Sequence, residues 1–206
     1  DFYNYSANTD WINEITKNAY SHDHFFKLSG GGEKSRYYTS INYQNELGTT
    51  INTSFQRFSF RANFDYDISN KLRFTTNFSF SNISREDNPR NIRRMAYIKA
   101  PNMSIWEYDE FGNYTGEYFT PIESYQGNGI RYFNPIAISN LGQNKVSGND
   151  IQNNFKIDYN ISTWLKFRES ISVSYSQDKG NQFIPNSAIG ANWLYFQNNF
   201  GKERNT

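Results

Sequence analysis

Apolar and polar residues alternate one by one along several stretches of the chain. From Phe58 to Asp67 the odd-man-out positions are absent: Phe58, Phe60, Ala62, Phe64 and Tyr66 interleave with Ser59, Arg61, Asn63, Asp65 and Asp67. Arg73–Asn82 sets Phe74, Thr76, Phe78 and Phe80 against Arg73, Thr75, Asn77, Ser79 and Ser81. Ile151–Asn160 sets Ile151, Phe155, Ile157 and Tyr159 against Gln152, Asn154, Lys156, Asp158 and Asn160. Leu165–Ser176 sets Leu165, Phe167, Ile171, Val173 and Tyr175 against Lys166, Arg168 and a run of serines, with Glu169 as one charge on the apolar side. Arg36–Asn45 alternates less cleanly, and His24–Ser29 is shorter. Side chains of an extended strand point to opposite faces in turn, so each stretch predicts a ribbon with one aromatic and one polar face. Six wall strands are expected, most of about ten residues or more, the length of a tilted membrane crossing rather than the five to six of soluble strands.

The connections alternate as well. Gly30–Lys34, Ile68–Lys71 and Ile161–Trp164 are short and carry Gly, Asn or Ser, whereas Glu46–Ser54 and above all Arg85–Gly148 are longer. Short turns at one end and long loops at the other predict a transmembrane antiparallel β-barrel with extracellular loops. Within the longest loop, Pro89–Pro101 predicts a short helix bounded by prolines. Trp106–Phe119 predicts a β-hairpin turning at Phe111, Gly112 and Asn113. The glycines at Gly30–Gly32 predict a tight turn with positive φ.

Composition agrees with an aromatic wall. Hydrophobic residues make up only 36% of the 206 residues, yet there are 18 Phe and 16 Tyr. One compact core would draw on more Leu, Ile and Val, while a surface meeting lipid on one side and water on the other draws on aromatics. Intrinsic disorder does not fit so aromatic a chain. With 21 basic and 20 acidic residues there is no electrostatic case for nucleic acid as a partner. The absence of Cys excludes a disulfide framework and a thiolate metal site. No apolar run is long enough for a membrane-spanning helix. The opening DFYNYSANTDW and the closing GKERNT resemble no natural termini, and a fragment of a longer protein is expected.

Several words of the sequence resemble the start of the barrel in SusC/RagA-like TonB-dependent transporters, in the same order: NTDWINEI, HFFKLSGGGEKSRYYTSINYQNELG, FQRFSFRANFDYDISNKLRFTTNFSFS, KAPNMSIWEYDEFGNYTGEY and NPIAISN. The most specific are the SGGGEKSRYY turn (Gly30, Gly31, Glu33, Arg36, Tyr37) and the APNM-to-FGNY loop. This resemblance implies a 22-stranded barrel closed by an N-terminal plug, in the outer membrane of a bacterium. It implies import of oligosaccharides or peptides, driven through TonB, with a SusD-like surface lipoprotein as lid. Residues 1–206 would then be the N-terminal portion of the barrel domain, roughly its first third, with plug, TonB-contacting segment and later strands outside it.

The residues present no catalytic constellation, so binding and gating are expected rather than bond chemistry, and no cofactor motif is present. His22 and His24 lack a third metal ligand, Asp109 and Glu110 lack the alternation of a calcium loop, and both read as local structure. The candidates for cargo contact are Trp106, Tyr108, Tyr114, Tyr118, Tyr125, Arg131 and Tyr132, with Phe119 and Phe133 beside them. Aromatic rings stack on the C–H faces of sugars, and Tyr and Arg hydrogen-bond to hydroxyls or carboxylates. The same rings could instead pack the loop on itself. Arg57, Arg61, Asp65, Asp67, Arg73, Lys156 and Asp158 are expected to face the lumen and to pair across strands or with the plug. Glu169 is expected near the membrane boundary. A passive porin explains the alternation equally well, and a soluble carbohydrate-binding β-sandwich would bury the aromatic faces between two sheets.

Overall fold

The computed structural model describes residues 2–120, 133–189 and 200–205. In chain order these form helix α1 (Trp11–Ile15), strands β1 (Ser21–Gly31), β2 (Ser35–Leu47), β3 (Ser54–Ser69) and β4 (Leu72–Glu86), helix α2 (Ile92–Ile98), strands β5 (Trp106–Tyr108) and β6 (Tyr114–Tyr118), helix α3 (Pro135–Leu141), and strands β7 (Gln143–Asn160), β8 (Lys166–Ile184) and β9 (Phe200–Asn205). Seven strands make one antiparallel sheet in the order β1-β2-β3-β4-β7-β8-β9, and β5 and β6 pair separately as the expected hairpin. The six wall strands read from alternation are present, and β9 adds a seventh.

Every wall strand outruns its alternating stretch. Phe58–Asp67 is the middle of the 16-residue β3, and β7 and β8 reach 18 and 19 residues. The extra residues are mainly polar, so the wall continues past the apolar band. On β8 the band runs from Phe167 to Tyr175, roughly 26 Å of strand at about 3.3 Å per residue and about 20 Å of height at a tilt near 40°. That is close to the band of about 25 Å on outer-membrane barrels.

Cross-strand register aligns these positions into rows. Leu28, Thr39, Ala62, Phe78, Asn153 and Val173 lie side by side on the outer face. The opposite face carries rows such as Asp67, Arg73, Asp158 and Arg168. The outer rings are uncovered: Phe26 is 65% exposed and Ile171 56%. No second sheet packs on them among the described residues, which removes the β-sandwich and leaves a stretch of transmembrane barrel wall. Glu169 is on this outer face opposite Ile157, one outward position above Phe167 and so toward the short-turn end of the band.

The glycine expectation is corrected. Positive φ occurs among described residues only at Asn52, Gly112 and Gly116, while Gly30 and Gly31 are extended within β1. They are small because of close approach: a Cβ on Gly30 would stand 2.5 Å from Tyr37 Oη, and one on Gly31 2.6 Å from the Ser35 carbonyl oxygen.

The apolar core lies not in the sheet but at its loop end. Trp11 and Ile15 of α1, Ile92, Met95 and Ala96 of α2, Ile136 and Ile138 of α3, and Ile184, Ala188 and Ile189 at and after the end of β8 form one buried cluster, with Ile51 of the β2–β3 connection against it. Four connections thus share one hydrophobic cap. The three helices are short, but each begins on an Asx side chain: Asp10, Asn91 and Asn134 accept backbone N–H groups of Asn13, Arg94, and Ile136 with Ala137. Pro135 at the first turn fits the same start. The helix expected in Pro89–Pro101 is α2, whereas α1 and α3 add to the reading.

Candidate functional site

Two features of this architecture can meet a solute: the hairpin that stands on the cap, and the polar face of the wall. The hairpin closes on Asp109, whose Oδ1 accepts from the N–H groups of Phe111 (2.9 Å) and Asn113 (2.8 Å) while Oδ2 accepts from Asn113 Nδ2 (3.0 Å). These bonds, the Asn113 side chain first, hold the Asp109 carboxyl below its ordinary range. Its oxygens are committed to the turn. Gly112 has φ +85°, which suits Gly, and its Cα edge lies under the Tyr3 ring.

Pairing places Trp106 opposite Tyr118 and Tyr108 opposite Tyr114, on one face of the hairpin. Trp106 stacks on Tyr118 with centroids 4.5 Å apart and meets Tyr114 edge-on at 5.6 Å. Tyr118 Oη accepts from Asn140 Nδ2 (2.8 Å), tying the stack to α3. Tyr114 is 54% and Trp106 37% exposed, so the stack presents ring surface to solvent. Four of the candidate residues, Trp106, Tyr108, Tyr114 and Tyr118, therefore come together. Tyr125, Arg131 and Tyr132 lie outside the described residues. Phe119 is buried edge-on against Tyr5, and Phe133 lies under the Arg90 guanidinium at 5.3 Å; both serve packing.

The braces of this stack were not singled out from sequence. Asn4 behaves like an added strand residue: its Nδ2 donates to the Tyr108 carbonyl (2.8 Å) and its Oδ1 accepts from the Tyr108 N–H (2.8 Å). Asn134 is fully buried and donates to the carbonyls of Ile105 (2.8 Å) and Phe119 (3.2 Å) while capping α3. The Asn-Pro-Ile sequence carries the capping signal, but nothing local announces the two bonds to the hairpin.

On the wall, Arg73 pairs with Asp67 (2.6 Å), and Asp158 with both Arg168 (2.6 Å) and Lys156 (3.0 Å), so the expected cross-strand pairing is realised at the short-turn end. Thr75 donates to Asp65 (2.7 Å). Higher up, Asn63, Asn77, Asn154 and Ser172 form a row beside Arg61, Ser79, Gln152 and Ser174, lining a trough of about 390 Å³. The Asp67–Arg73–Asp158–Arg168 row of charges lies at the short-turn end of this face, and amides, hydroxyls and Arg61 occupy its middle. His22 and His24 stack at 6.3 Å on the outer face, and no cluster of three metal-ligating side chains occurs among the described residues.

No protein-family model matches the chain. It is 29% identical over 188 residues to TonB-dependent receptor P26 of Formosa agariphila, covering 91% of this chain and 18% of that protein. It is 26% identical over 202 residues to TonB-dependent receptor SusC of Bacteroides thetaiotaomicron, covering 91% and 20%. The solved RagAB peptide importer in its closed-closed state superposes with a TM-score of 0.66 at 18% identity, over 96% of this chain and 22% of that one. The chain thus spans about a fifth of the length of the relatives it matches. The resemblance to SusC/RagA-like TonB-dependent receptors, carried by the turn and loop words, is borne out along nearly the whole chain, and the sheet shares their fold.

Proposed function

We propose that this stretch of a SusC/RagA-like TonB-dependent receptor supplies the N-terminal portion of the barrel wall and the external loops of an active importer in the bacterial outer membrane. Cargo, an oligosaccharide or a peptide, binds above a plug from outside this chain. A SusD-like lipoprotein closes over the cap, and TonB pulls the plug to open a path along the polar wall. The protein works by binding and gating. The observation that carries this reading is a single sheet whose outer face is an uncovered aromatic band and whose other face is charged and amide-rich, in a chain similar along nine-tenths of its length to TonB-dependent receptors. The cap supports it, because its shared core gives the Trp106–Tyr118 stack a rigid base from which to meet sugar rings or aromatic side chains.

The test is uptake by cells carrying the whole receptor, with and without the energy-coupling protein. Loss of uptake on its deletion is expected, and unchanged uptake would instead indicate a passive pore.

A further inference from the structure

We propose that the aromatic face of the β5–β6 hairpin, with the carboxylates beside it, binds the guanidinium group of an arginine-bearing peptide; this rests on the importer reading and names a cargo class for it. Trp106 and Tyr108 on β5 and Tyr114 and Tyr118 on β6 share one face of a two-stranded sheet that no further strand joins among the described residues. The chain as a whole is balanced in charge, with 21 basic and 20 acidic residues, but the hairpin is not. Glu107, Asp109, Glu110 and Glu117 all belong to it, and residues 100–120 contain no Lys, Arg or His. The segment that braces it, residues 2–9, carries no charged side chain. The cation nearest in sequence, Lys99, is buried in the cap with the Trp11 ring 5.1 Å away.

Ring and carboxylate are neighbours on both strands. Glu107 stands between Trp106 and Tyr108, and Glu117 precedes Tyr118, the cross-strand partner of Trp106. Both glutamates are exposed. Asp109 gives its oxygens to the turn and adds only its charge. All four carboxylates lie within a few residues of the rings, inside the roughly 8 Å over which physiological salt leaves a field effective.

The chemistry of the two groups together selects the ligand. An aromatic ring attracts a cation over its face, and a carboxylate accepts the N–H groups at the cation's edge. A guanidinium is flat and weakly hydrated, stacks on rings, and keeps its N–H groups in plane for a carboxylate. An ammonium, of lysine or of an amino sugar, is compact and strongly hydrated and has no flat face to lay on a ring. A neutral sugar stacks on the rings but gains nothing from the negative field, and an anionic one is repelled by it.

The test uses the full-length receptor purified in detergent and titrated calorimetrically with the end-blocked peptide Gly-Arg-Gly-Arg-Gly, its isostere with neutral citrulline for arginine, the glucosamine trimer and maltotriose. The arginine peptide is expected to bind and the citrulline peptide roughly tenfold or more weakly, the gap narrowing as salt is raised. Glu107→Gln combined with Glu117→Gln should close most of that gap and leave the citrulline peptide unchanged, whereas Tyr114→Leu, which removes the most exposed of the four rings, should weaken both peptides. Heat-modifiable gel migration identifies a variant that has lost its fold, in which case the single glutamate substitutions carry the comparison. Equal binding of the two peptides, an unaffected double variant, or no binding of the arginine peptide at millimolar concentration would overturn the proposal. Tighter binding of the glucosamine trimer would overturn the peptide assignment, and tighter binding of maltotriose the cationic one. Because the readout is equilibrium binding, a site that behaves as expected in a receptor whose uptake ignores TonB would refute the importer and keep the site.

Discussion

Gly30 and Gly31 are neighbours in one strand, yet they should respond differently to the same added methyl. On Gly30 the nearest atom is the hydroxyl end of the Tyr37 ring, which can swing away toward lipid; on Gly31 it is the Ser35 backbone carbonyl at 2.6 Å, which cannot. Gly31→Ala should therefore cost about 1–3 kcal/mol and Gly30→Ala distinctly less, read as the urea midpoint for loss of heat-modifiable migration. Equal effects would show that the ring is as fixed as the backbone. Lys99 gives a second residue-scale prediction. Burial of its ammonium among the cap residues pushes its pKa down to about 8, from an ordinary 10.5, with the Trp11 ring 5.1 Å away as partial compensation. Between those values the unfolded chain binds more protons than the folded one, so the stability of the cap rises from about pH 8 toward 10.5 and is lowest below 8. Lys99→Met should remove this rise and raise stability at pH 7 by roughly 1–3 kcal/mol, followed by Trp11 emission during urea unfolding.

At the scale of elements, the hairpin is positioned by a residue far from it in sequence. Asn134 makes bonds to four backbone groups, two on α3 and two that fix the base of the β5–β6 hairpin. Asn134→Ala should cost about 2–4 kcal/mol through a lost cap and buried carbonyls left without donors, while Asn134→Asp keeps the cap and loses only the donors. Proteolytic nicking between Ile105 and Phe119 should increase in the order wild type, Asp, Ala. This bears on what the sequence discloses. The strands were legible because a two-residue period has one structural meaning, and so was the hairpin, whose turn is closed by a local Asp109–Gly112–Asn113 motif. Strand ends were not, because runs such as Gln177–Gln182 carry no apolar residue to alternate with once the wall leaves the membrane. The cap was the least legible part: Trp11, Ile51, Ile92, Ile138 and Ile189 come from four separated connections, none amphipathic enough alone to announce a core. Of the candidate ring residues, those on the hairpin were found because exposed loop aromatics are conspicuous. Their braces, Asn4 and Asn134, were not, because in so Asn-rich a chain only tertiary pairing distinguishes them.

The whole molecule inverts the usual relation between burial and apolarity, and that inversion can be measured. Its buried apolar cluster sits at the watery end, while the aromatic band is open. If bilayer rather than a partner sheet covers that band, a charge should cost most at mid-height and little at the margin. Ile171 is the middle outward position of the Phe167–Tyr175 band, two from either end, whereas Glu169 is one from its short-turn edge. Ile171→Arg should therefore destabilise the receptor by about 2–4 kcal/mol in lipid, and Glu169→Gln should change it by less than about 1 kcal/mol. Reversible unfolding in phospholipid vesicles of two thicknesses separates this from an ordinary packing effect, since thickening the bilayer should bring Glu169 deeper and enlarge the gain from neutralising it. An unchanged Ile171→Arg would place that face against protein. Without detergent or lipid the same 206 residues have no cover for the band and two open sheet edges, so they should aggregate rather than refold. A soluble, monomeric refolded product with a sharp thermal transition would contradict the barrel wall itself, because nothing in the cap is large enough to shield a face of that breadth from water.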